Sequence, residues 1–156
     1  MKPCQATVLL LATLTLFAAG QARAAGPARS YLGAFSNVAI SPLSGDCGGV
    51  SLQLWKLTDP AGRQKVTGTF FDASGSCPGA AAPIEAADVD PSTGRVHLRA
   101  VGTNGVVVAQ FKGNIANGHA RGSFGYGHQA TGVIDGWEVV DLKRLSRREW
   151  KRLGGQ

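Results

Sequence analysis

The chain has 156 residues, of which 44% are hydrophobic, and a formal net charge of +6. The charge is uneven: eight basic residues face eight acidic ones between Ala25 and Val140, whereas six Lys and Arg oppose only Asp141 and Glu149 in the segment that follows. A neutral body with a basic C-terminal segment argues against a nucleic-acid-binding domain, and the tail favours an anionic partner.

The N-terminus has the pattern of a secretory signal peptide. Lys2 precedes an apolar run from Val8 to Ala19, and Ala22-Arg23-Ala24 offers a cleavage site of the small-x-small type. This run is too short to span a bilayer, and no later segment is long and apolar enough to do so. We therefore predict a signal peptide at residues 1–24 and a secreted or periplasmic protein that does not span the membrane.

Two cysteines follow the predicted signal peptide, Cys47 and Cys77, each in a loop rich in glycine and serine. An even pair in an oxidising compartment predicts one disulfide bond. No His-Cys spacing near either cysteine favours a catalytic thiol or a metal site, and we expect neither a metal nor a cofactor.

Strand and turn signals alternate along the rest of the chain, and no long helical period interrupts them. Asp-Pro and Asn-Gly pairs separate the apolar stretches, which is typical of antiparallel hairpins. We predict strands near 31–40, 50–57, 63–72, 83–89, 95–102, 105–113, 119–126 and 136–144. The expected fold is all-β, an up-and-down meander of about eight strands that closes into a small barrel over residues 25–145.

Two Asn-Gly pairs, Asn104-Gly105 and Asn117-Gly118, predict two-residue hairpin turns and so fix the register of the strands they join. Both hairpins then place apolar side chains on one face of the sheet and polar side chains on the other. The glycines that meet in the second hairpin would let the sheet bend sharply, as closure of a barrel requires. The predicted cross-strand pairs are Leu98 with Phe111, Ala100 with Ala109, Gly102 with Val107, Phe111 with Phe124, Gly113 with Gly122 and Ile115 with Ala120.

The segment Tyr31-Leu32-Gly33-Ala34-Phe35 resembles the Gly-x-Trp opening of the first strand in calycin-type barrels, the group that includes lipocalins and avidins. Phe35 stands where those proteins have tryptophan. The spacing of Gly and Phe recurs at Gly68 and at Gly122. The resemblance is one of architecture, and it implies a barrel that holds a ligand.

The inward face of the predicted barrel supplies candidate ligand-binding residues. Several inward positions are small, which favours a cavity over a filled interior. The favoured function is therefore non-enzymatic binding of a small apolar ligand, and catalysis is less favoured. The residues expected to line the cavity are Phe35, Leu98, Phe111, Phe124 and Tyr126.

The outward face carries a basic ribbon, which is a candidate docking surface for an anionic surface or an acidic protein. Cross-strand neighbours His97 and Lys112 place positive charge in adjacent rows, which is unfavourable unless an anion is near. The alternative is a solvated wall balanced by Glu85, Asp88 and Asp90. Nucleic acid is not expected, because the aromatic side chains are mostly assigned to the inward face. The ribbon consists of His97, Arg99, Lys112, His119 and Arg121.

Signals for catalysis or metal binding are few. The segment IANGHARGSFGYGH, residues 115–128, contains His119 and His128, which a regular strand would place on opposite faces. A hairpin at a barrel corner is therefore favoured, and an enzyme that uses His128 and Tyr126 at the barrel mouth is a further alternative. Asp88-Val89-Asp90-Pro91-Ser92 has the spacing of oxygens in a calcium loop but lacks its glycine and glutamate, so a turn is favoured.

The segment Ser146-Arg147-Arg148-Glu149 is a capping box and predicts a helix that starts at about Arg147. Gly154-Gly155 ends it, so residues 146–156 form a short basic C-terminal helix or tail. Trp150 and Leu153 share one face of this helix. We predict that Trp150 docks against the barrel, and contact with an anionic surface is the alternative.

Overall fold

The computed structural model describes residues 26–128 and 130–155, and the predicted signal peptide, residues 1–24, lies outside them. The strands and the helix of the described chain are β1 (Ala28–Ser36), β2 (Ala39–Ile40), β3 (Cys47–Gly48), β4 (Val50–Thr58), β5 (Gln64–Asp72), β6 (Ala80–Asp88), β7 (Arg95–Val101), β8 (Val107–Ala116), β9 (His119–Tyr126), β10 (Glu138–Leu145) and α1 (Arg147–Arg152).

Eight strands close into an antiparallel barrel in the order β1-β10-β9-β8-β7-β6-β5-β4, which confirms the predicted fold class. β2 and β3 leave the barrel and pair with each other. The first strand is therefore shorter than predicted, because β1 ends at Ser36. The Ser36 hydroxyl accepts a hydrogen bond from the amide of Val38 at 3.0 Å, a local bond that competes with continuation of the ladder.

The turn at Asn117-Gly118 has the predicted geometry. Both residues have positive φ, 51° and 77°, as a type I′ hairpin turn requires. The predicted pairs between β8 and β9 are all present: Phe111 with Phe124, Gly113 with Gly122 and Ile115 with Ala120.

The turn at Asn104-Gly105 is longer than predicted. Gly105 has positive φ, 78°, but Asn104 does not, and the amide of Gly102 donates to the carbonyl of Val106 at 2.8 Å. The connection therefore spans residues 102–106. The predicted pairs Leu98 with Phe111 and Ala100 with Ala109 are present, but the predicted pair of Gly102 with Val107 was wrong, because Val101 lies opposite Val107 after a bulge.

The cross-strand pair of Gly113 and Gly122 lies where β8 and β9 leave no room for a side chain. A Cβ atom on Gly122 would lie 2.1 Å from the carbonyl oxygen of Lys112, and one on Gly113 would lie 2.2 Å from the carbonyl oxygen of Arg121. No side chain fits at either position. Glycine is therefore required at both positions, and the sharp bend that the sequence predicts here stays a prediction.

The C-terminal helix begins as predicted. The Ser146 hydroxyl accepts the amide of Glu149 at 3.2 Å, and the Glu149 carboxylate accepts the amide of Ser146 at 2.7 Å. Trp150 is 4% exposed, and its ring meets the ring of Phe71 edge-on with 5.2 Å between centroids. Because Phe71 belongs to β5, α1 is anchored on the outer wall of the barrel, as predicted.

Cys47 and Cys77 form the predicted disulfide, with 5.7 Å between their Cα atoms. The bond joins β3 to the loop that precedes β6. The end of α1 lies against the same loop, since a Cβ atom on Gly154 would lie 2.9 Å from Cδ of Pro78. Within residues 26–128 and 130–155, no helix has the length and apolar character to cross a bilayer.

Candidate functional site

The barrel interior contains four of the predicted ligand-binding residues. Phe35, Leu98, Phe111 and Phe124 are each at most 3% exposed. The space left among Leu98, Phe111, Phe124 and their neighbours is about 10 Å³, close to the smallest volume that admits one water molecule. A small apolar ligand would therefore have to displace side chains to enter the space among these residues.

At least one of the small inward residues is covered by an aromatic ring. A Cβ atom on Gly113 would lie 2.7 Å from Cζ of Phe111, so this ring occupies the space beside the glycine. Phe70, which was not among the predicted lining residues, stacks on Phe124 with 5.6 Å between ring centroids. Large rings thus take up the space beside small residues, as in a packed protein interior, and ligand binding in the interior stays a prediction.

Tyr126, the fifth predicted ligand-binding residue, is 46% exposed. Its ring meets Phe124 edge-on at 5.0 Å, and its hydroxyl donates to a carboxylate oxygen of Asp72 at 3.4 Å. Partial burial, together with the negative charge of Asp72, raises the pKa of Tyr126 to about 12. The phenol is therefore protonated at neutral pH, where it is a hydrogen-bond donor and not a base.

His128, the other residue of the catalytic alternative, lies in the loop after β9. Its Nδ1 accepts the amide of Ala130 at 3.4 Å. The described residues form no hydrogen bond between the imidazole of His128 and the hydroxyl of Tyr126, and in the same part of the chain no three His, Cys, Asp or Glu side chains are placed to hold a metal ion.

The acidic segment at Asp90 is a turn. The Asp90 carboxylate accepts the amide of Ser92 at 2.8 Å, the hydroxyl of Ser92 at 2.6 Å and the amide of Thr93 at 3.3 Å. These hydrogen bonds, the one from the Ser92 hydroxyl first, lower the pKa of Asp90 to about 2. One carboxylate oxygen, Oδ1, thus accepts all three hydrogen bonds from its own turn.

The five residues of the basic ribbon lie together on β7, β8 and β9, with His97 opposite Lys112 as predicted. Both side chains of this pair have a partner on the protein itself. His97 shares a hydrogen bond of 2.6 Å with the Gln110 side chain, and the Lys112 ammonium lies 4.2 Å from the ring centroid of Trp137. Neither contact needs an anionic partner.

Carboxylates compensate the rest of the ribbon. Arg99 pairs with Glu85 at 3.4 Å, and Asp141 accepts from both His119 at 2.5 Å and Arg121 at 2.9 Å. The hydrogen bond from His119, followed by that from Arg121, lowers the pKa of Asp141. The sequence identified Glu85 as a balancing charge but missed Asp141, which belongs to β10 and becomes a neighbour of β9 only when the barrel closes.

A second basic surface lies on the opposite part of the barrel, between α1 and the outer wall of β1 and β4. It is an open groove of about 770 Å³, within the usual range for ligand sites. We call it the α1 groove. Residues that line it include Tyr31, Trp55, Arg144, Arg147, Trp150 and Lys151.

Local pairing positions the aromatic side of the α1 groove. Tyr31 on β1 lies opposite Trp55 on β4, and their ring centroids are 5.5 Å apart. The Arg29 guanidinium lies over the Trp55 ring, 4.5 Å from its centroid. Residues 29 and 31 share one face of the strand, so Arg29 and Tyr31 flank the same indole on the outer wall.

The cationic side of the α1 groove comes from the end of β10 and from α1. Among the described residues, no carboxylate forms an ion pair with Arg29, Arg144, Arg147 or Lys151. Glu149, the one acid of α1, accepts from Ser146 in the capping box, and this hydrogen bond lowers the pKa of Glu149. The α1 groove is thus a cluster of cations without carboxylate partners among the described residues, beside the exposed ring of Tyr31 and the half-buried ring of Trp55.

Sequence reasoning found half of this groove. The basic tail and the docking of Trp150 were predicted, but Arg29, Tyr31 and Trp55 were not identified as site residues. The expectation that aromatic side chains lie mostly inward was wrong for the outer wall, where Tyr31 is 49% and Trp137 41% exposed. A possible signal was the alternation along Leu52, Leu54 and Trp55, which assigns Trp55 to the face opposite the two leucines.

Comparisons of the chain with protein families, with curated proteins and with solved structures found no match. The chemistry of the site is therefore the basis for any assignment of function.

Proposed function

We propose that the protein is an exported, non-enzymatic binding protein that recognises an anionic partner through the α1 groove. The observation that carries this proposal is that Arg144, Arg147 and Lys151, which have no carboxylate partners among the described residues, lie beside the exposed ring of Tyr31 and the half-buried ring of Trp55. Export is supported by the signal-peptide pattern and by the Cys47–Cys77 disulfide, because disulfides persist in oxidising compartments.

The composition of the groove favours recognition of another molecule over a structural role. Trp, Tyr and Arg are the residues most often found to dominate the binding energy of interfaces. Clustered like charges that no internal acid balances raise the free energy of the free protein and are relieved when an anion binds. Three residues of the basic ribbon lack this second property, because Glu85 pairs with Arg99 and Asp141 pairs with His119 and Arg121.

Two variants of equal charge separate the two surfaces. The groove variant carries Arg144→Gln, Arg147→Gln and Lys151→Gln, and the ribbon variant carries Arg99→Gln, Lys112→Gln and Arg121→Gln. Each removes three positive charges from exposed positions, so a general effect of net charge is the same in both.

Binding is measured by calorimetry against four defined polyanions: poly-L-glutamate, a sulfated polysaccharide, single-stranded DNA, and vesicles that contain phosphatidylglycerol. We expect at least one of them to bind, with an affinity that falls as salt rises and that the groove variant reduces by about tenfold or more. The ribbon variant should retain the affinity. Equal losses in both variants, or binding to none of the four, would overturn the proposal.

A further inference from the structure

We infer that the α1 groove takes an extended acidic segment of a partner protein, which adds as a strand to the open edge of β1. This inference rests on the proposed function and names the class of partner. It depends on the unpaired main chain at one edge of β1 as well as on the charges of the α1 groove.

The seam between β1 and β10 is only partly closed. β1 pairs with β4 along its whole length, from Ala28 to Ser36, but with β10 only from Ala34 to Ser36. β10 ends at Leu145, and the chain continues into α1. Among the described residues, residues 28–32 therefore have no strand on the side away from β4, and residues 28–31 are exposed. We call residues 28–32 the open edge.

The open edge offers main-chain hydrogen bonds. Alternate residues of an antiparallel strand direct their N–H and C=O groups to opposite sides, so about half of the open edge presents these groups to solvent. Proteins usually shorten or cover such edges because another chain pairs with them readily. An extended peptide bound in this way gains affinity from the main chain and specificity from alternate side chains.

The open edge and the cations lie side by side. Tyr31 belongs to both the open edge and the α1 groove. Arg144 reaches back over β1 just beyond the open edge, since a Cβ atom on Gly33 would lie 2.7 Å from Nε of Arg144. A strand added along residues 28–32 would continue the line of β10, on the side of β1 away from β4.

These two features together select an acidic polypeptide. Nucleic acids, polysaccharides and lipid head groups supply negative charge but not amide and carbonyl groups at the spacing of a strand. Arg29 and Tyr31 share one face, so a bound strand would meet the cations with every second side chain. The preferred segment therefore has acidic residues at alternate positions, which pair with guanidinium groups.

The test uses short peptides of alternating Glu and Thr, with the oxidised protein. One analogue is N-methylated at all Thr residues and a second at all Glu residues, and affinities are measured by NMR titration. A strand uses the amides of alternate residues only, so one analogue should lose about tenfold or more in affinity while the other binds like the parent. Amide hydrogen exchange at residues 28–32 should slow when the parent peptide binds.

The possible results separate this inference from the proposed function. Both analogues could bind like the parent peptide, with the groove variant lowering the affinity for all three peptides. Attraction between charges would then be sufficient and strand addition would be wrong, whereas the proposed function would stand. If DNA, the polysaccharide or the vesicles bind the groove and the peptides do not, the same conclusion follows. If nothing binds, both fail.

Discussion

Replacement of Trp150 by alanine should release α1 from the barrel and destabilise the protein by about 3–5 kcal/mol, the usual cost of truncating a buried tryptophan. The ring is 4% exposed and lies between Phe71 and Gly155, since a Cβ atom on Gly155 would lie 2.1 Å from the indole. An aromatic side chain buries roughly 150–250 Å², which at about 25 cal/mol per Å² gives an upper estimate of about 4–6 kcal/mol. A helix of six residues has no stability of its own, so it depends on this contact.

The assay is urea unfolding followed by far-UV circular dichroism, with the disulfide intact. Trp150→Phe should cost less than Trp150→Ala, because a ring remains against Phe71. Arg148→Ala, at an exposed position of the same helix, should change the free energy of unfolding by about 0.5 kcal/mol or less. A cost below about 1 kcal/mol for Trp150→Ala would refute the packing of α1 on the barrel, and with it the preformed wall of the α1 groove.

Further predictions concern the core, the bend and the outer wall. Phe111→Ala should lower the free energy of unfolding by about 3–5 kcal/mol, measured in urea, because it empties a filled interior. The control Val139→Ala, at a position 92% exposed, should lower it by about 0.5 kcal/mol or less. Similar small changes for both variants would indicate that Phe111 borders a cavity. Gly122→Ala should destabilise the barrel by about 1–3 kcal/mol, because the added Cβ atom clashes with the backbone. The control Gly136→Ala should not, because it has open space at its Cβ. Equal urea midpoints of unfolding for the two variants would contradict the close approach of the backbone at Gly122. Because its folded pKa is lowered, Asp141 should contribute stability that is present above its ordinary pKa and lost as pH falls through its folded pKa; an NMR titration that finds an ordinary pKa would contradict the two hydrogen bonds it accepts.

The sequence predicted the fold because its signals are local. Positive φ at both residues of Asn117-Gly118 and the need for glycine at the cross-strand pair are properties of a few neighbouring residues. The hairpin at Asn104-Gly105 was also predicted, but its turn geometry and the cross-strand pair next to the turn were predicted wrongly. Asn104 does not adopt the positive φ of a type I′ turn, and a bulge shifts the register by one residue.

The functional surfaces depend on contacts between distant parts of the chain, which explains why they were harder to predict. The ribbon was located correctly, but its compensation by Asp141 requires the neighbour relation of β9 and β10. The α1 groove requires β1, β4, β10 and α1 to meet, and Arg29 is far in sequence from Arg147. Whether inward Ala and Gly residues leave a cavity depends on the direction of the neighbouring phenyl rings, which alternation along a strand does not give.

The most direct test of the central claim is an NMR titration of the oxidised protein with the alternating Glu-Thr peptide, recorded as amide chemical-shift changes. We expect the chemical-shift changes to concentrate at residues 28–32 and 144–151, and we expect no such changes in the groove variant. Changes concentrated at the basic ribbon, or at the interior residues around Phe111, would contradict it.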